Sequence, residues 1–281
     1  MIDRRVKNAE IFRDTERRYK SDPKLISSIR QSTKEQVFIS EKESVVIPAL
    51  EKKINTSIVV SGKRSLEAAE HYAKQSKKVC VLNFASATNP GGGVINGSSA
   101  QEECLCRCTT LYPCLNTSDM WNSFYTPHRI ADNPLYNNDC IYTPSICVFK
   151  SDTNFPEPLK SEEWWNVDII TCAAPNLRER PSNRMNPNAG STSAQITSAE
   201  LEKLLTARIL RLFEIAVANK AEVLILGAFG CGAFKNPPEL VAKVFKNVMQ
   251  KFLGYFETIE YAVFHTEREL ANYEAFAKIM K

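Results

Sequence analysis

Residues 79–103, VCVLNFASATNPGGGVINGSSAQEE, decide how this chain folds. Val79 to Phe84 is a short apolar run rich in β-branched residues, which predicts a buried strand. The turn Asn89-Pro90 and the triple glycine Gly91 to Gly93 follow it, and a helix is predicted to start at Ser98 or Ser99 and to run to about Leu115. A strand, a glycine loop and a helix in this order are typical of an α/β domain that binds a ligand at its strand ends.

Strands and helices continue to alternate on both sides of this segment. Apolar, β-branched runs predict strands at 57–60, 145–149, 167–172, 222–226 and 258–264, and helical periodicity predicts helices at 65–75, 196–219, 238–252 and 268–280. This alternation implies right-handed crossovers and a sheet that is covered on both faces. The predicted fold class is therefore α/β, with three layers, α/β/α, around a central mixed sheet.

The N-terminal part of the chain has a different composition. Its first 35 residues are dense in Arg, Lys and Glu, and Pro23 divides them into two predicted helices. We expect a helical extension over 1–36 that packs on a single domain over 37–281. Two later segments, 116–163 and 180–193, are rich in Pro, Asn and Ser and contain few predicted elements. The second is either a mobile lid over a ligand or simply disordered.

Composition and charge limit the possible partners. The chain has 281 residues, and 36 Lys plus Arg against 32 Asp plus Glu give a formal charge of +4, with acids and bases interleaved. This balance disfavours non-specific electrostatic binding of nucleic acid, and we expect no sequence-specific nucleic acid partner. The apolar runs are far shorter than the ~20 residues that span a bilayer, and no secretory signal is visible, so we expect a cytoplasmic protein without a membrane partner. The oligomeric state stays open, with a monomer favoured.

The cysteines raise the alternative of a metal site. Nine of them, an odd number, favour a reducing compartment over a disulfide framework. Four form a cluster at Cys104, Cys106, Cys108 and Cys114. Their C-x-C-x-C spacing lacks the usual C-x2-C pairs of zinc sites, and the three histidines of the chain show no metal-binding spacing. We therefore predict neither a metal nor a cofactor.

A second glycine cluster, Gly227 to Phe234, joins the predicted strand at 222–226 to a helix that begins near Pro237. Backbone N–H groups and a helix N-terminus bind phosphate in such a setting. The G-x-x-G-x-G spacing matches neither the dinucleotide fingerprint nor the P-loop. Because both glycine loops follow strands, they should converge on one edge of the sheet, where a diphosphate is the expected ligand. The alternative is that glycine only marks tight connections.

Gln101-Glu102-Glu103 follows the triple glycine after seven residues. On its own the pattern is typical of a helix start, because Ser99 and Glu102 have capping-box spacing and acids are favoured in a first turn. Beside a glycine loop, however, both carboxylates would face the ligand, and the helix N-terminus should keep them ionised. A glutamate next to a sugar phosphate suggests glycosidic chemistry, in which a carboxyl group protonates a leaving oxygen and then activates water.

The motif Asn89-Pro90-Gly91-Gly92-Gly93, followed after seven residues by Gln101-Glu102-Glu103, resembles the signature of poly(ADP-ribose) glycohydrolases of the macrodomain superfamily, and of their microbial-type members in particular. The loop from Gly227 to Phe234, continuing to Asn236, is similar to the second phosphate loop of that family. The resemblance covers about 79–264. It implies a macrodomain with ADP-ribose or poly(ADP-ribose), free or attached to protein, in a cleft at the strand ends.

The resemblance also implies roles for single residues. Glu103 is expected to be the catalytic residue, and Glu102 and Asn89 are expected to hold ribose hydroxyls near the scissile bond. The triple glycine should pack against the distal ribose, and Gly230 to Phe234 should wrap the diphosphate, with Phe234 on the adenosine portion. The implied substrate-binding positions are Asn89, Gly91, Gly92, Gly93, Gln101, Gly227, Gly230, Cys231, Gly232, Ala233, Phe234 and Asn236.

Three functions fit these motifs. The first is hydrolysis of the ribose–ribose O-glycosidic bonds of poly(ADP-ribose) from chain ends, which releases ADP-ribose. The second is a binding module that reads ADP-ribose without cleaving it, and the third is a hydrolase that removes single ADP-ribose groups from a protein or another conjugate. The pair Glu102 and Glu103 favours an enzyme, because a reader has no need for two acids at this position.

Overall fold

A computed structural model describes residues 3–50, 54–184, 186–267 and 269–281. One seven-stranded sheet, with the strand order β1-β4-β5-β3-β6-β7-β2, forms its centre. The strands are β1 (Val37–Ile39), β2 (Ser57–Ser61), β3 (Val79–Phe84), β4 (Cys140–Val148), β5 (Trp165–Cys172), β6 (Val223–Leu226) and β7 (Thr258–Ala262).

Five neighbouring strands of the sheet run parallel to one another. Strand β3 pairs in parallel with β5 and β6, and the parallel pairing continues through β7 to β2. Only β4 runs against its neighbours, β5 and β1, among the described strands. The carboxyl ends of β2, β3, β5, β6 and β7 therefore share one edge, which is where open α/β sheets bind ligands.

Ten α-helices of the described residues surround the sheet. They are α1 (Arg4–Ser21), α2 (Pro23–Glu35), α3 (Ser65–Ala73), α4 (Gln101–Cys108), α5 (Leu111–Leu115), α6 (Ser118–Met120), α7 (Thr126–Ala131), α8 (Ser198–Ala218), α9 (Pro238–Met249) and α10 (Ala271–Ile279). Short 3₁₀ turns at Val94–Asn96, Ser161–Glu163 and Gln250–Phe252 and a π-helical turn at Trp121–Tyr125 complete the list. Within the described residues, none of these helices combines the length and the apolar character needed to cross a bilayer.

Two apolar cores lie on opposite faces of the sheet. Alternate residues of β3 supply both of them, since Cys80 and Leu82 pack with α8 and α9 while Val79 and Val81 pack with α3 and α4. Phe213 of α8 stacks on Phe252 at a centroid distance of 5.1 Å within the first core. The predicted α/β/α layering around a mixed sheet is confirmed.

The N-terminal helices are tied to the rest of the molecule by polar contacts as well as apolar packing. Asn8 donates from Nδ2 to the Gly97 carbonyl at 3.1 Å, and the Thr15 hydroxyl donates to the Arg107 carbonyl at 2.6 Å. The ammonium group of Lys150, whose side chain is 1% exposed, lies 2.8 Å from Asp14 Oδ2 and donates to the Ile11 carbonyl at 3.1 Å. Pro23 begins α2, as expected for a residue that fixes the first turn of a helix. The division of the chain at residue 36 stays a prediction.

Several predicted element boundaries were wrong. The helix expected from Ser98 or Ser99 to Leu115 begins only at Gln101 and is interrupted at Thr109, which is extended and bridges to Val148 of β4. The strand expected at 145–149 is the second half of the longer strand β4, which has a register shift between Thr143 and Ile146. The closing helix starts at Ala271, and residue 268, where it was predicted to begin, lies outside the described residues.

Candidate active site

A cleft of about 960 Å³ opens along the edge formed by the carboxyl ends of the parallel strands. Both glycine loops, the start of α4 and the first turn of α1 line it. Predicted positions in its lining are Gly92, Gly93, Gln101, Glu102, Glu103, Gly230, Gly232, Ala233 and Phe234. The topology thus brings together two motifs that are more than a hundred residues apart in the sequence.

The triple-glycine loop passes directly over the two acids of α4. Gly92 has φ +58°, a left-handed conformation that favours glycine, and a Cβ at this position would lie 2.6 Å from Glu103 Oε1. Both its backbone conformation and the lack of space therefore require glycine. The next residue, Gly93, donates its backbone N–H to the same Oε1 of Glu103 at 2.9 Å. The loop consequently holds the Glu103 side chain in one position.

Replacement of Gly92 by Ala should destabilise the fold by about 1–3 kcal/mol, the usual cost of a non-glycine residue in a strained conformation. It should also lower activity, because the new methyl group must displace Glu103 Oε1. Gly232→Ala is a matched control, since a Cβ there meets no described atom within 4 Å. Thermal or denaturant unfolding of both variants measures the effect, and equal stability of the two would contradict the assigned role of Gly92.

The two carboxyl oxygens of Glu103 differ in their protein partners. Its residue is 7% exposed, yet Oε2 has no hydrogen-bond partner among the described residues, whereas Oε1 accepts from Gly93. Buried polar atoms are nearly always hydrogen-bonded, so an orphan of this kind in a cleft indicates a ligand-binding or catalytic role. The free oxygen is suited to exchange a proton with a bound substrate.

Glu102 is held by partners from the end of β3. Its Oε2 accepts from the backbone N–H of Ser86 at 2.8 Å, and its Oε1 accepts from Asn83 Nδ2 at 3.3 Å. Asn83 Nδ2 lies also 3.2 Å from Thr171 Oγ1 of β5. The predicted capping box between Ser99 and Glu102 does not form among the described residues, because Glu102 is turned toward β3 and Ala100 caps the helix without a side-chain hydrogen bond.

Burial is the main cause of the pKa shifts of both acids. Burial raises the pKa of Glu102 well above its usual range, and the charge of Glu103 raises it further. Burial also raises the pKa of Glu103, although N–H groups of Gly93 and the helix start lower it in part. The helix N-terminus was expected to favour the ionised form of both groups, but the loss of hydration outweighs the favourable N–H groups, so both pKa values lie above the ordinary value. A raised pKa suits a general acid, which must hold its proton when the reaction begins.

Gln101, the first residue of the Gln-Glu-Glu motif, fixes the helix to the sheet. Its Oε1 accepts from the Phe84 backbone N–H at 2.9 Å, while its Nε2 donates to the Leu82 carbonyl at 2.8 Å and to Ser65 Oγ at 3.0 Å. Gln101 borders the cleft, but both ends of its amide are occupied by protein partners. Its contribution in this structure is to set the position of the two acids that follow it.

The second glycine loop forms another wall of the cleft. Gly230 has φ +74°, and a Cβ there would lie 2.5 Å from Ala174 Cβ and from Asn236 Nδ2. Asn236 is 1% exposed and braces the loop, because its Nδ2 donates to the Pro175 carbonyl at 2.7 Å and to the Gly230 carbonyl at 3.1 Å. Phe234 lines the cleft and rests on Tyr136 at a centroid distance of 6.1 Å.

Five predicted substrate-binding residues lie outside the described lining of the cleft, at Asn89, Gly91, Gly227, Cys231 and Asn236. Asn236 supports the second glycine loop from behind, and Gly227 packs under it, where a Cβ would lie 2.6 Å from the Ala262 carbonyl oxygen. Asn89 donates from Nδ2 to Asn186 Oδ1 at 2.6 Å, and its Oδ1 accepts from Arg129. These residues shape the loops that the remaining positions present to a ligand.

Several residues of the cleft were not predicted. They are mainly polar or charged, and include Arg4, Arg5, Asn8, Arg64, Ser86, Asp152, Arg178, Arg184 and Asn186. Asn186 comes from the polar segment 180–193 and bonds to Asn89 and, through Nδ2, to Ser86 Oγ at 3.3 Å. For Asn186, the one indication in the sequence was the high polarity of the segment 180–193. Residues of α1 reach the cleft through tertiary packing, which has no local sequence pattern.

The clustered cysteines are free thiols in the structure. Cys106, Cys108 and Cys114 are buried in the second core, and burial raises the pKa of each thiol. Among the described residues, no three or more His, Cys, Asp or Glu side chains come together as potential metal ligands. Cys106, Cys108 and Cys114 therefore contribute small side chains to the packing of the second core, whereas Cys104 is only partly buried.

Comparison with known families matches the half of the chain that contains the triple glycine and the acid pair. Residues 10–151, half of the 281 residues, match the model of the family described as microbial-type PARG, catalytic domain, where PARG denotes poly(ADP-ribose) glycohydrolase. The chain belongs to this family. The matched range begins within α1, so the microbial-type PARG model includes most of the N-terminal helices as well as the triple-glycine loop and the acid pair.

Solved PARG structures share the whole fold. The crystal structure of PARG from Thermomonospora curvata is 27% identical and has a TM-score of 0.84, covering 98% of this chain and 100% of that one. The same protein bound to the inhibitor ADP-HPD is 28% identical, with a TM-score of 0.82 and coverages of 98% and 99%. PARG from Deinococcus radiodurans in complex with ADP-ribose is 26% identical, with a TM-score of 0.73 and coverages of 90% and 96%. A comparison with curated protein sequences gives no significant match.

Proposed function

We propose that this protein hydrolyses the ribose–ribose O-glycosidic bonds of poly(ADP-ribose) from chain ends and releases ADP-ribose. The observation that carries the proposal is the state of Glu103, which is buried, held at one oxygen by Gly93 and without a described partner at the other. Membership of the microbial-type PARG family and the relatives solved with ADP-ribose and ADP-HPD support the choice of substrate.

The chemistry follows from the position of Glu103. Cleavage of a ribosyl bond passes through an oxocarbenium-like state, so the leaving ribose oxygen must be protonated as the bond breaks. Glu103 donates this proton from Oε2, and the resulting carboxylate then removes a proton from the attacking water. The Gly93 N–H stabilises the carboxylate formed after the first step, because a hydrogen bond to Oε1 favours the charged form. The water oxygen ends on the anomeric carbon of the released ADP-ribose.

The remaining residues of the cleft position the substrate. Glu102, oriented by Ser86 and Asn83, accepts hydrogen bonds from ribose hydroxyls beside the scissile bond. The loop Gly230 to Phe234 binds the diphosphate with its backbone N–H groups, since glycine lets the main chain approach anionic oxygens closely. Phe234 packs on the adenosine portion of the ligand. Gln101 and Asn236 contribute indirectly, by holding α4 and the phosphate loop in place.

The rate of hydrolysis should fall as the pH rises through the pKa of Glu103. The acid must be protonated to start the reaction, and its pKa lies above the ordinary value of 4.5. The positive charge of Arg107 lowers the pKa of Glu103, so Arg107→Gln should move the alkaline limb to higher pH. Measurement of kcat/KM against pH for both proteins tests this. An alkaline limb that is identical in the variant would assign the titration to another group.

The substrate class is tested by offering equal amounts of ADP-ribose as purified polymer and as single groups on a modified protein. Release of free ADP-ribose from the polymer, with little release from the mono-modified protein, is the expected result. Preferential release from the mono-modified protein would instead indicate a hydrolase that removes single ADP-ribose groups from protein. Binding of ADP-ribose without release from either substrate would indicate a binding module that does not cleave ADP-ribose.

A further inference from the structure

The first turn of α1 forms part of the cleft mouth. Arg4 and Arg5 are exposed and line the cleft together with Asn8. Their helix is pressed against the turn that follows the triple-glycine loop, where a Cβ on Gly97 would overlap the Arg5 carbonyl. The Asn8 side chain donates to the Gly97 carbonyl at 3.1 Å from the same helix. The backbone of α1 at the two arginines is thus fixed relative to the turn that follows the triple-glycine loop.

Short links connect this turn to Glu103. The backbone N–H of Ser98 donates to the Gly93 carbonyl at 3.1 Å, and the N–H of Gly93 donates to Glu103. Arg107, one turn after Glu103, donates from Nη1 to the Ser98 carbonyl at 2.5 Å. Arg4 and Arg5 therefore lie on the side of the cleft where the glycosidic bond is broken, next to the elements that hold the catalytic acid.

The charges around the cleft are unbalanced toward positive. Five arginines and four carboxyl groups line it, and burial raises the pKa of three of those carboxyl groups, that of Asp152 to about 6. The fourth acid, Asp3, accepts from the Arg5 backbone N–H at 3.0 Å and caps the helix. Neither Arg4 nor Arg5 has an ion-pair partner among the described residues. Two guanidinium groups without ion-pair partners at the cleft are suited to bind the negatively charged phosphates of a polymer.

We propose that Arg4 and Arg5 bind the phosphates of the ADP-ribose unit on the far side of the scissile bond. In the polymer, the leaving ribose that Glu103 protonates belongs to an ADP-ribose unit with its own diphosphate. When a single ADP-ribose is attached to a protein side chain, the leaving group carries no phosphate. The arginine pair consequently selects the polymer over single ADP-ribose groups. This inference rests on the proposed function and specifies the substrate class of the same cleft.

The test measures polymer binding separately from catalysis. The double variant Arg4→Glu/Arg5→Glu is compared with Lys7→Glu/Arg13→Glu, which changes the net charge equally on exposed positions of α1 outside the described cleft lining. Both are made in the Glu103→Gln background and titrated with poly(ADP-ribose) of defined length and with free ADP-ribose. Acidic residues are favoured in a first helical turn, so the Arg4→Glu/Arg5→Glu protein should retain α1.

The ratio of polymer affinity to ADP-ribose affinity should fall about tenfold or more for Arg4→Glu/Arg5→Glu, and little for the control. The dependence of polymer affinity on salt should also weaken, by about 0.7 in the logarithmic slope for each phosphate that the variant no longer binds. An equal fall in both double variants would overturn the inference, because it would show a general charge effect. If the wild-type protein cleaves the polymer but the affinity ratio of Arg4→Glu/Arg5→Glu is unchanged, only the role of the two arginines is disproved. If the wild-type protein releases no ADP-ribose from the polymer, the proposed function is disproved as well.

Discussion

Replacement of Glu103 by Gln should slow the release of ADP-ribose from poly(ADP-ribose) by about 10²–10⁴-fold, the usual contribution of a general acid–base group. The amide keeps the shape of the side chain and an oxygen that can accept from the Gly93 N–H, but it cannot donate and recover a proton. Affinity for ADP-ribose should change little, because the product needs no proton transfer to bind. Single-turnover kinetics on the polymer, with calorimetry for ADP-ribose, measure the two effects separately.

The matched control for this experiment is Glu274→Gln, which removes an exposed carboxylate of α10 far from the acid pair in the sequence. It should retain the wild-type rate. A Glu103→Gln protein that keeps more than about a tenth of wild-type activity would contradict the role of Glu103 as the proton donor. Loss of ADP-ribose binding in the same variant would indicate a misplaced loop rather than lost chemistry, and the thermal stability of the variant would reveal it.

Replacement of Asp14 by Ala should lower the free energy of unfolding by about 3–5 kcal/mol, the usual cost of leaving one member of a buried ion pair without its partner. Lys150 lies almost fully buried under α1, with its ammonium group 2.8 Å from Asp14 and 3.1 Å from the Ile11 carbonyl oxygen. Although partial burial opposes it, hydrogen bonding from Lys150 and Arg18 lowers the pKa of Asp14 to about 2. Without Asp14, the Lys150 ammonium group keeps the Ile11 carbonyl as its remaining partner among the described residues.

A double-mutant cycle separates this ion pair from the other contacts of α1. Lys150→Met removes the buried charge, so Asp14→Ala/Lys150→Met should recover most of the stability lost in Asp14→Ala. Denaturant unfolding of the four proteins gives the coupling energy. If the double variant is as unstable as the sum of the single changes, the pair does not act as a unit, and the loss must come from the other partners of Asp14, such as Arg18.

The parts of the fold that depend on local patterns could be predicted from the sequence. The β-branched run Val79–Phe84 forms β3 with the predicted bounds, and Pro23 divides the N-terminal helices as expected. The helix break at Thr109 could not be predicted, because Thr109 and Thr110 pair with the end of β4, a contact between distant parts of the chain. The first half of β4 was not predicted, because Pro144 and Ser145 interrupt the strand pattern in the sequence. In the structure, Ser145 has φ +53°.

Several motif residues predicted from the sequence line the cleft, but the sequence did not predict which contacts each of them makes. The sequence does not reveal whether a residue faces the cleft or braces a loop from behind, and Asn236 is an example of the second case. Nor does it reveal how deeply Glu102 and Glu103 are buried, and burial reverses the expected direction of their pKa shifts. Arg4 and Arg5 join the cleft only because α1 packs beside Gly97, which no spacing in the sequence indicates.

The hydrogen bonds of Asn89 have a consequence for turnover. Both ends of its amide are satisfied in the free protein, by Arg129 and by Asn186 of the loop 180–193. A ribose hydroxyl that bound Asn89 would exchange one hydrogen bond for another, so we expect this residue to add little to the net free energy of binding. After cleavage, Asn186 would compete with the product for Asn89. We expect this competition to assist the departure of ADP-ribose, which matters for a polymer with many bonds to cut.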